Sequence, residues 1–448
     1  MSKKTQFICQ TCGAISSRWQ GRCDACQEWN TIIEEMVITK ADKGKKVIST
    51  SNKAIPITKT EDAKIARFAT GDNEFNRVTG GGIVPGSAIL LGGEPGIGKS
   101  TLVLQICASY AKTGRKVLYV SAEESAQQIG LRARRLGIFE DNLLILSQTD
   151  VKEIEKQVES IKPALVIIDS IQLVFVDEIT SAAGTVTQIR ESAAHLVYLS
   201  KRLEIATIII GHVTKDGNIA GPKVLEHLVD TVLSFVGDQN QEVRIVRVVK
   251  NRFGSTHEIG VYEMNDKGLT PVHDPSMAFT SQSDSSVNGR ILTCLREGNR
   301  TLFIEVQALT TTSAVGMPKR RATGMDPNRL NMVVAILEKH CGLQLSGEDV
   351  YINVVGGIRV DEPALDLPAA LAIYSSFCNK PAGKKLAIGE LGLTGEIRPV
   401  KMIEQRLTEA QRFGIEEAII PSSKNIPKSN LIVQQCKSIQ DAISCMDN

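Results

Sequence analysis

The run at residues 93–100 constrains this chain more than any other part of its sequence. It is Gly-Glu-Pro-Gly-Ile-Gly-Lys-Ser, a complete G-x-x-x-x-G-K-S phosphate loop. The apolar run 88–91 leads into it, and a helix-forming run, 101–106, follows it. In this strand–loop–helix order, backbone N–H groups turn toward a phosphate chain at the N-terminus of the helix. The sequence therefore predicts a protein that binds and hydrolyses a nucleoside triphosphate.

The predicted nucleotide-binding residues are consecutive, and two of them have separate tasks. Lys99 is expected to reach the β- and γ-phosphates, whereas the Ser100 hydroxyl is expected to hold Mg²⁺. We therefore expect ATP and Mg²⁺ as the ligands of this loop. The predicted set is Gly93, Glu94, Pro95, Gly96, Ile97, Gly98, Lys99, Ser100 and Thr101.

Apolar runs that end in polar residues recur after the loop, and helix-forming segments separate them. Such continuous apolar runs are typical of strands buried on both faces of a parallel sheet, so we expect an α/β fold. Asp169 closes one of them and is expected to bind Mg²⁺ through water, beside Ser100 at the carboxyl edge of the sheet. The other interpretation of Asp169 is an acidic helix cap. The later runs 231–235 and 243–249 are predicted to form a hairpin-like edge.

Hydrolysis also requires a group that orients the attacking water. Glu123 and Glu124 follow the predicted second strand, and either carboxylate could face the γ-phosphate. We favour Glu123, but the spacing does not choose between them. His212 follows the fifth predicted strand, where it could contact the γ-phosphate or serve only the core.

Lys250 and Arg252 lie at the end of a predicted strand well beyond this core. Two cations at one turn could reach the γ-phosphate as a basic finger that a neighbouring subunit supplies. A solvated basic turn is the other interpretation, and the spacing alone leaves both open.

The first 26 residues hold four cysteines in two C-x-x-C pairs, Cys9, Cys12, Cys23 and Cys26. Each pair places two thiolates on one tight turn, and two such turns can close a tetrahedron around Zn²⁺. Redox pairs or free thiols are the alternative. A module this short cannot bury a core of its own, so we expect the metal to supply its folding energy.

Both tryptophans of the chain, Trp19 and Trp29, fall in the same module. We expect at least one of them to cover the zinc core. Stacking on nucleic-acid bases and contact with a protein partner are the alternatives.

Composition excludes several classes of protein. At 448 residues the chain is long enough for two or three domains. Its net charge is +2, so any nucleic-acid contact must come from local patches. No apolar run approaches a membrane span, and the N-terminus lacks the apolar core of a secretion signal. The other six cysteines are scattered, which fits a reducing cytoplasm rather than a disulfide framework.

Several of these motifs together resemble the RadA (Sms) family of bacterial DNA-repair ATPases. The resemblance runs from the first cysteines to the C-terminus, and the combination is far more specific than any single motif. The motifs are C-x-x-C-G at Cys9, W-Q-G-x-C at Trp19, C-x-x-W-N at Cys26, G-E-P-G-I-G-K-S at Gly93, Y-V-S-A-E-E-S at Tyr119 and K-N-R-F-G at Lys250.

The resemblance implies a RecA-like P-loop ATPase core between an N-terminal zinc ribbon and a C-terminal Lon-protease-like α/β domain. The Lon-like domain is expected to be catalytically inactive. The expected segments are a zinc ribbon at 1–35, a linker at 36–65, the ATPase domain at 66–275, a linker at 276–288 and the Lon-like domain at 289–448.

The resemblance also implies a DNA-dependent ATPase and helicase-like motor that acts as a hexameric ring on single-stranded and branched DNA. In the family this motor extends strand-exchange intermediates in homologous recombination, alongside the RecA recombinase. For Lys250 and Arg252 the resemblance implies a role in trans, together with DNA engagement. Further candidates for DNA contacts, each of which could also be an ordinary surface charge, are Arg132, Arg134, Arg135, Lys215, Lys223, Lys319, Arg320 and Arg321.

The C-terminal segment resembles the Lon protease domain around residues 389–400 but departs from it at both catalytic positions. Glu404 stands where Lon has its catalytic lysine, and the run 362–370, which matches the nucleophile turn, contains no serine. A Ser–Lys pair needs both groups, so we expect a ring-forming scaffold without proteolysis. An ATP-dependent protease and a regulatory ATPase or kinase of the RecA superfamily are the alternative functions.

Overall fold

A computed structural model describes residues 4–9, 14–37, 66–212, 223–237, 242–272, 279–280, 287–313, 317–356, 360, 362–423, 426 and 431–447. The chain divides into two units, Met1–Pro271 and Val272–Asn448. The finer division into five segments stays a prediction, and most of both predicted linkers lies outside the described residues.

The first unit contains a small N-terminal sheet and a large sheet with helices on both faces. Its strands are β1 (Lys4–Cys9), β2 (Ile15–Ser16), β3 (Ile32–Val37), β4 (Ala88–Gly93), β5 (Val117–Ser121), β6 (Leu143–Ser147), β7 (Leu165–Asp169), β8 (Ala206–His212), β9 (Thr231–Val236), β10 (Val243–Asn251), β11 (Ile259–Asn265) and β12 (Gly268–Pro271). Its helices are α1 (Asn73–Val78), α2 (Lys99–Ala111), α3 (Ala126–Arg135), α4 (Val151–Ile161), α5 (Val186–Leu203) and α6 (Lys223–Leu228), with a 3₁₀ turn at Ile171–Leu173.

The large sheet has nine strands in the order β12-β11-β10-β9-β4-β8-β7-β5-β6. The strands from β9 to β6 run parallel, whereas β10, β11 and β12 are antiparallel extensions. Neighbouring residues of β4 enter opposite cores, because Leu91 packs with residues of α2 and Leu90 with residues of α5. Burial on both faces explains why the parallel strands are continuous apolar runs.

The runs 231–235 and 243–249 form an antiparallel pair, as expected, but they do not form the edge of the sheet. On its other side, β9 pairs in parallel with β4, and the strand at this edge is β12. Parallel neighbours are joined by long crossover connections, so no local pattern identifies which strands will pair.

Polar residues start the helices that flank this sheet. The Ser125 hydroxyl accepts from the backbone N–H of Gln128, and the Gln128 side chain accepts from the backbone N–H of Ser125. This capping box begins α3 directly after the pair of candidate glutamates. Asp150 and Thr185 cap α4 and α5 with one side-chain acceptor each.

In the small sheet, β1 lies between β2 and β3. β3 pairs antiparallel with β1 from Lys4, opposite Val37, to Cys9, opposite Ile32. Cys9, Cys23 and Ile32 form the buried centre of this sheet in the described part of the ribbon. A core this small agrees with folding that depends on a metal.

The second unit packs helices against a mixed sheet. Its strands are β13 (Arg290–Glu297), β14 (Arg300–Thr312), β15 (Arg320–Thr323), β16 (Glu348–Val354), β17 (Lys385–Ala387), β18 (Glu390–Leu391), β19 (Ile397–Arg398), β20 (Glu417–Pro421) and β21 (Ile432–Cys436). Its helices are α7 (Pro327–Cys341), α8 (Asp366–Cys378), α9 (Ile403–Arg412) and α10 (Ile439–Asp447), with 3₁₀ turns at Leu345–Gly347 and Pro363–Leu365. The main sheet has the order β15-β16-β14-β13-β17-β20-β21, and β18 pairs with β19.

A buried arginine ties α9 to the sheet of the second unit. The guanidinium of Arg406 pairs with Glu362 and donates to the carbonyl oxygens of Cys294 and Lys401. A buried charge must be paired and hydrogen-bonded, because its removal from water is costly. Arg406 therefore connects β13, α9 and the turn before α8.

Arg406→Met should destabilise the second unit, because it removes the donor that Glu362 and two carbonyl groups share. We expect the opening free energy of this unit to fall by about 3 kcal/mol, measured by amide hydrogen exchange on the full-length chain. Arg412→Met is the matched control, since Arg412 lies on the same helix with an exposed side chain. It should change the opening free energy by less than about 0.5 kcal/mol, and equal exchange in the two variants would contradict the anchoring role.

Candidate ATPase centre and zinc site

The phosphate loop folds around the amine of its own lysine. Lys99 is buried, and its Nζ donates to the carbonyl oxygens of Gly93 and Glu94, each at 2.8 Å. Gly98 has a φ of 112°, in the left-handed region, and a Cβ atom there would lie 2.8 Å from Cε of Met264. Only glycine meets both conditions without strain, so the turn into α2 requires it.

A buried arginine braces this loop from the antiparallel part of the sheet. Nε of Arg244, on β10, donates to the carbonyl oxygen of Ile97 at 3.3 Å. The hydrogen bond holds the loop backbone one residue before the left-handed glycine. A strand outside the parallel core therefore helps to shape the phosphate site.

The strand order brings the predicted catalytic residues of the core to one edge. β8 lies between β4 and β7, with His212 opposite Gly93. Ser121, the last residue of β5, lies opposite Asp169, the last residue of β7. The carboxyl ends of parallel strands share one edge of the sheet, and ligands of open α/β folds bind there. The loop, Asp169, His212 and the glutamates that follow β5 therefore meet.

Asp169 and Ser100 offer oxygen atoms of the kind that Mg²⁺ prefers. The carboxylate of Asp169 accepts hydrogen bonds from the hydroxyl groups of Tyr119 and Ser100. Burial raises the pKa of Asp169 above its ordinary value, although both hydrogen bonds oppose this. A divalent cation would stabilise the ionised carboxylate, so the two residues fit Mg²⁺ held together with ATP.

The two candidate glutamates have different partners. Glu123 accepts hydrogen bonds from the Ser170 hydroxyl and, at 3.3 Å, from Nε2 of His212. Burial alone would raise the pKa of Glu123, but these hydrogen bonds and the charge of the loop lysine hold it below its ordinary value. Glu124 instead forms an ion pair with Arg132 of α3. Of the two, Glu123 is the carboxylate that lies near the phosphate loop.

His212 bridges the loop lysine and Glu123. Its Nδ1 accepts from Nζ of Lys99 at 3.3 Å, and its Nε2 donates to Glu123. These contacts fit the tautomer that carries its proton on Nε2. Burial lowers the pKa of Lys99 to about 8, although nearby carboxylates, first among them Asp169, raise it. His212 thus joins the phosphate loop to the candidate base Glu123 by hydrogen bonds. The sequence alone did not decide whether His212 belongs to the site or only to the core.

Lys250 and Arg252 lie near the amino ends of the parallel strands, at the opposite end of these strands from the phosphate loop. β10 runs antiparallel to β9, so its last residue, Asn251, is opposite Thr231, and Thr231 is opposite Ile89 near the start of β4. The phosphate loop follows the end of β4, about 13 Å farther along the strand. These two predicted catalytic residues are therefore not brought to the phosphate loop of their own chain.

Three of the four predicted zinc ligands come together in the ribbon. The Sγ atoms of Cys9, Cys23 and Cys26 lie within 4.8 Å of one another, and those of Cys9 and Cys26 are 3.6 Å apart. Two sulfur atoms bound tetrahedrally at about 2.3 Å from zinc lie about 3.8 Å apart, so the cluster fits Zn²⁺. Cys12, the fourth predicted ligand, lies outside the described residues.

The two tryptophans lie outside the buried centre of the ribbon. Trp19 and Trp29 are 60% and 66% exposed, and both rings lie beside Gly21. The guanidinium of Arg22 lies 5.7 Å from the centre of the Trp29 ring, within reach of a cation–π contact. The expectation that at least one tryptophan covers the zinc core is therefore wrong.

The cations predicted to contact DNA differ in their surroundings. Arg132 is bound by Glu124, and Arg320 is half-buried. Lys215 and the side chain of Lys223 lie outside the described part of the chain. The exposed members of the set are Arg134, Arg135, Lys319 and Arg321.

The Lon-like region of the second unit has no catalytic pair at the predicted positions. The run 362–370, which resembles the nucleophile turn, forms a 3₁₀ turn and the start of α8 without a hydroxyl side chain. Glu404 is exposed in the first turn of α9. Within the same region, Nε of Arg329 donates to Oδ1 of the buried Asp366 at 2.6 Å, so a half-buried ion pair stabilises the start of α8.

The sequence analysis assigned no role at the ATPase centre to three polar residues that organise it, namely Tyr119, Ser170 and Arg244. Tyr119 lies within an apolar strand, Ser170 directly follows Asp169, and Arg244 lies between apolar residues of β10. A polar group in a buried strand needs a hydrogen-bond partner, which is the signal that could have identified Tyr119 and Arg244.

Comparison with protein-family models assigns a type to each of three parts of the chain. Residues 7–34 match a rubredoxin metal binding domain, residues 56–218 match an AAA domain, and residues 305–424 match the ChlI subunit of Mg-chelatase. The zinc ribbon, the P-loop core and the Lon-like C-terminal domain expected from the sequence are thereby confirmed, the last as a ChlI/Lon-like domain.

Similar proteins align with nearly the whole chain. The DNA repair protein RadA of Halalkalibacterium halodurans is 47% identical over 98% of this chain and 98% of its own length. Those of Bacillus subtilis and Haemophilus influenzae are 47% and 44% identical over 94% and 99% of this chain, and over 93% and 99% of their own length. The chain belongs to the RadA family.

As a RadA-family P-loop protein, the chain is an ATPase that uses ATP and Mg²⁺, and its ribbon binds Zn²⁺. Within the described residues of this RadA-family chain, no helix combines the length and apolar character needed to cross a bilayer. The roles of individual site residues stay predictions. The contacts described above identify the substitutions that can test them.

Glu123→Gln should stop hydrolysis while ATP still binds, because an amide cannot accept a proton from the attacking water. We expect kcat to fall by about 100-fold or more, measured by phosphate release, with the affinity for ATP unchanged in titration calorimetry. Glu124→Gln is the matched control, since Glu124 pairs with Arg132, and it should keep a kcat close to that of the wild type. The reverse order of the two effects would assign the role to Glu124.

Cys23→Ser should remove zinc and unfold the ribbon of this RadA-family chain, because metal binding supplies the folding energy of so small a core. The wild type should hold about one zinc ion per chain, and the variant clearly less, by mass spectrometry of the metal. Cys378→Ser, in the second unit, is the control and should keep its zinc. An unchanged zinc content in Cys23→Ser would contradict the ribbon assignment.

Proposed function

We propose that this protein is a DNA-dependent ATPase and helicase-like motor that processes recombination intermediates, by branch migration and extension of strand exchange, in homologous recombination and DNA repair. The observation that carries the proposal is the division of the predicted machinery between two edges of one sheet. The loop and Glu123 are at one edge, and Lys250 and Arg252 are at the other. A second subunit would bring the two halves together, and the name of the relatives supports DNA as the substrate.

At the carboxyl edge, the residues divide the work between binding and proton transfer. Lys99 and the loop amides would bind the phosphates, and Ser100 and Asp169 would hold Mg²⁺. When bound, Mg²⁺ neutralises charge on the phosphate oxygens. Glu123 orients the attacking water and accepts its proton, and His212 directs Glu123 toward the loop through its Nε2 hydrogen bond.

Lys250 and Arg252 would complete the site of an adjacent subunit. The Arg252 side chain is 51% exposed, so it can still donate to an anion outside its own chain. An arginine finger supplied in trans accelerates phosphoryl transfer by about 10³- to 10⁵-fold. Because each subunit would then act on its neighbour's nucleotide, hydrolysis would be coupled to the arrangement of subunits, which is what a ring motor requires.

The proposed partners are single-stranded and branched DNA, the RecA recombinase and further copies of this chain in a hexameric ring. A motor holds its track through phosphate contacts that do not depend on base sequence. The exposed cations at the end of α3 and on β15 are candidates for this contact. Because the proposed substrate is the bacterial chromosome, we propose the cytoplasm as the location.

Of the two alternative functions, proteolysis is weaker on the same observations, and a regulatory role is left to experiment. Proteolysis lacks both of its catalytic groups in the Lon-like region, where Glu404 replaces the lysine and residues 362–370 contain no serine. A regulatory ATPase that uses its ribbon for a protein partner is separated from a DNA motor by experiment, since exposed tryptophans can bind either a protein or a base.

The test is ATP hydrolysis by the full-length protein with and without single-stranded DNA, together with unwinding of a forked duplex. We expect DNA to raise turnover, the duplex to open only with hydrolysable ATP, and Lys99→Ala to abolish both activities. Lys250→Ala should bind ATP normally and hydrolyse it about 1000-fold more slowly. Hydrolysis that does not respond to DNA would favour the regulatory alternative, and unaltered DNA-stimulated turnover in Lys250→Ala would rule out the finger.

A further inference from the structure

A buried carboxylate lies between the basic finger and the phosphate-loop strand. Asp230, which is 4% exposed, connects α6 to β9. Its Oδ2 accepts from the backbone N–H of Ala88 at 3.1 Å, and its Oδ1 accepts from Nη1 of Arg252 at 3.0 Å. Its backbone N–H donates to the carbonyl oxygen of Ala88, and its carbonyl oxygen accepts from the backbone N–H of Arg252. One residue thus joins Arg252 to the start of the strand that ends in the phosphate loop.

Two cations pair with this one carboxylate, and a third, Lys250, lies near enough for the charge of Asp230 to act on it. Nζ of Lys201, on the last turn of α5, lies 3.8 Å from Oδ1 of Asp230. Burial lowers the pKa of Lys250, the charge of Arg252 adds to the effect, and Asp230 opposes it. Asp230 is buried, whereas the side chains of Lys201 and Arg252 are about half exposed. The anion therefore lies inside the cluster, beneath the half-exposed side chains of Lys201 and Arg252.

Lys250 is held by backbone carbonyl groups of the segment that leads into Asp230. Its Nζ donates to the carbonyl oxygens of Glu226 and Val229, at 2.6 and 2.8 Å. Glu226 belongs to α6, and Val229 directly precedes Asp230. The segment 226–230 therefore holds both finger residues, one by carbonyl oxygens and the other by a carboxylate.

We propose that Asp230 is the positioning residue of the basic finger, which it aims at the triphosphate of a neighbouring subunit. The inference rests on the proposed role of Lys250 and Arg252 in trans. Asp230 does not touch the nucleotide: it binds the guanidinium of Arg252 from the protein side, offsets the repulsion among three cations, and leaves the outer face of the guanidinium available. Loss of its charge should therefore misplace the finger, while the hydrogen bond to Ala88 keeps the strand of the phosphate loop in place.

Asp230→Asn removes the charge that binds Arg252, while the amide oxygen can still accept from the backbone N–H of Ala88. Misplacement of a positioned group by about 1 Å can cost about 100-fold in rate, so we expect kcat to fall by about that factor. The affinity for ATP should not change. Glu74→Gln is the matched control, because Glu74 is also a buried carboxylate that accepts from a backbone N–H, that of Val261, and it should keep the wild-type kcat.

Mixed subunits separate a positioning role from a loss of folding. A Lys99→Ala chain has a defective loop and an intact finger, and an Asp230→Asn chain should have the reverse. Mixed in equal amounts, the two should regain hydrolysis, because about a quarter of the head-to-tail interfaces pair an intact loop with an intact finger. Asp230→Asn mixed with Lys250→Ala should show no recovery, since both chains carry a defective finger.

A reference mixture of Lys250→Ala with Lys99→Ala distinguishes this inference from the proposed function. If the reference recovers but Asp230→Asn alone has wild-type turnover, or fails to recover with Lys99→Ala, the role of Asp230 is overturned and the finger in trans stands. If the reference does not recover, the finger in trans is overturned, and the role of Asp230 with it.

Discussion

Parallel pairing of β4 with β8 is the constraint on which the ATPase centre depends. Because β8 lies between the loop strand and β7, its last residue, His212, meets the loop lysine on one side and Glu123 on the other. Both faces of these strands are buried in hydrophobic cores, and a slip of one residue would reverse every side chain, so packing fixes the register. This register in turn sets the distances between the polar side chains at the carboxyl edge of the sheet, where few polar groups are available to hold one another in place.

The same sheet separates the loop from the basic finger. β4 begins beside Asp230 and ends at the phosphate loop, so the two halves of the proposed machinery lie at the two ends of one short strand. In a chain built in this way, Lys250 and Arg252 lie away from the phosphate loop of their own chain. Under the proposed function, the contact between subunits would be heterologous, with the loop side of one chain facing the finger side of the next, which is the type of contact that closes rings.

Much of the core could be predicted from the sequence because its signals are local. β4, β5, β7 and β8 are largely apolar runs, of which the last three end in polar residues and β4 ends in the glycines of the loop, and the loop motif fixes the order of the first strand and helix. The choice between Glu123 and Glu124 could not be predicted, since side-chain direction after β5 depends on the cap of α3 and on Arg132. Contacts distant in sequence were equally hidden, such as that of Asp230 with Ala88, which are 142 residues apart. The C-terminal unit was identified through its resemblance to Lon, because its apolar patterns alone fit many α/β domains.

Both tryptophans of the chain belong to the zinc ribbon, where their rings lie largely exposed beside Gly21. Tryptophan fluorescence of the full-length protein therefore arises from the ribbon alone, with no emission of this kind from the ATPase core or the C-terminal unit. The chain thus carries an intrinsic optical reporter. Its emission maximum and its quenching follow whatever covers or unfolds the ribbon, whether DNA, a partner protein or a chelator, while the unlabelled enzyme continues to turn over.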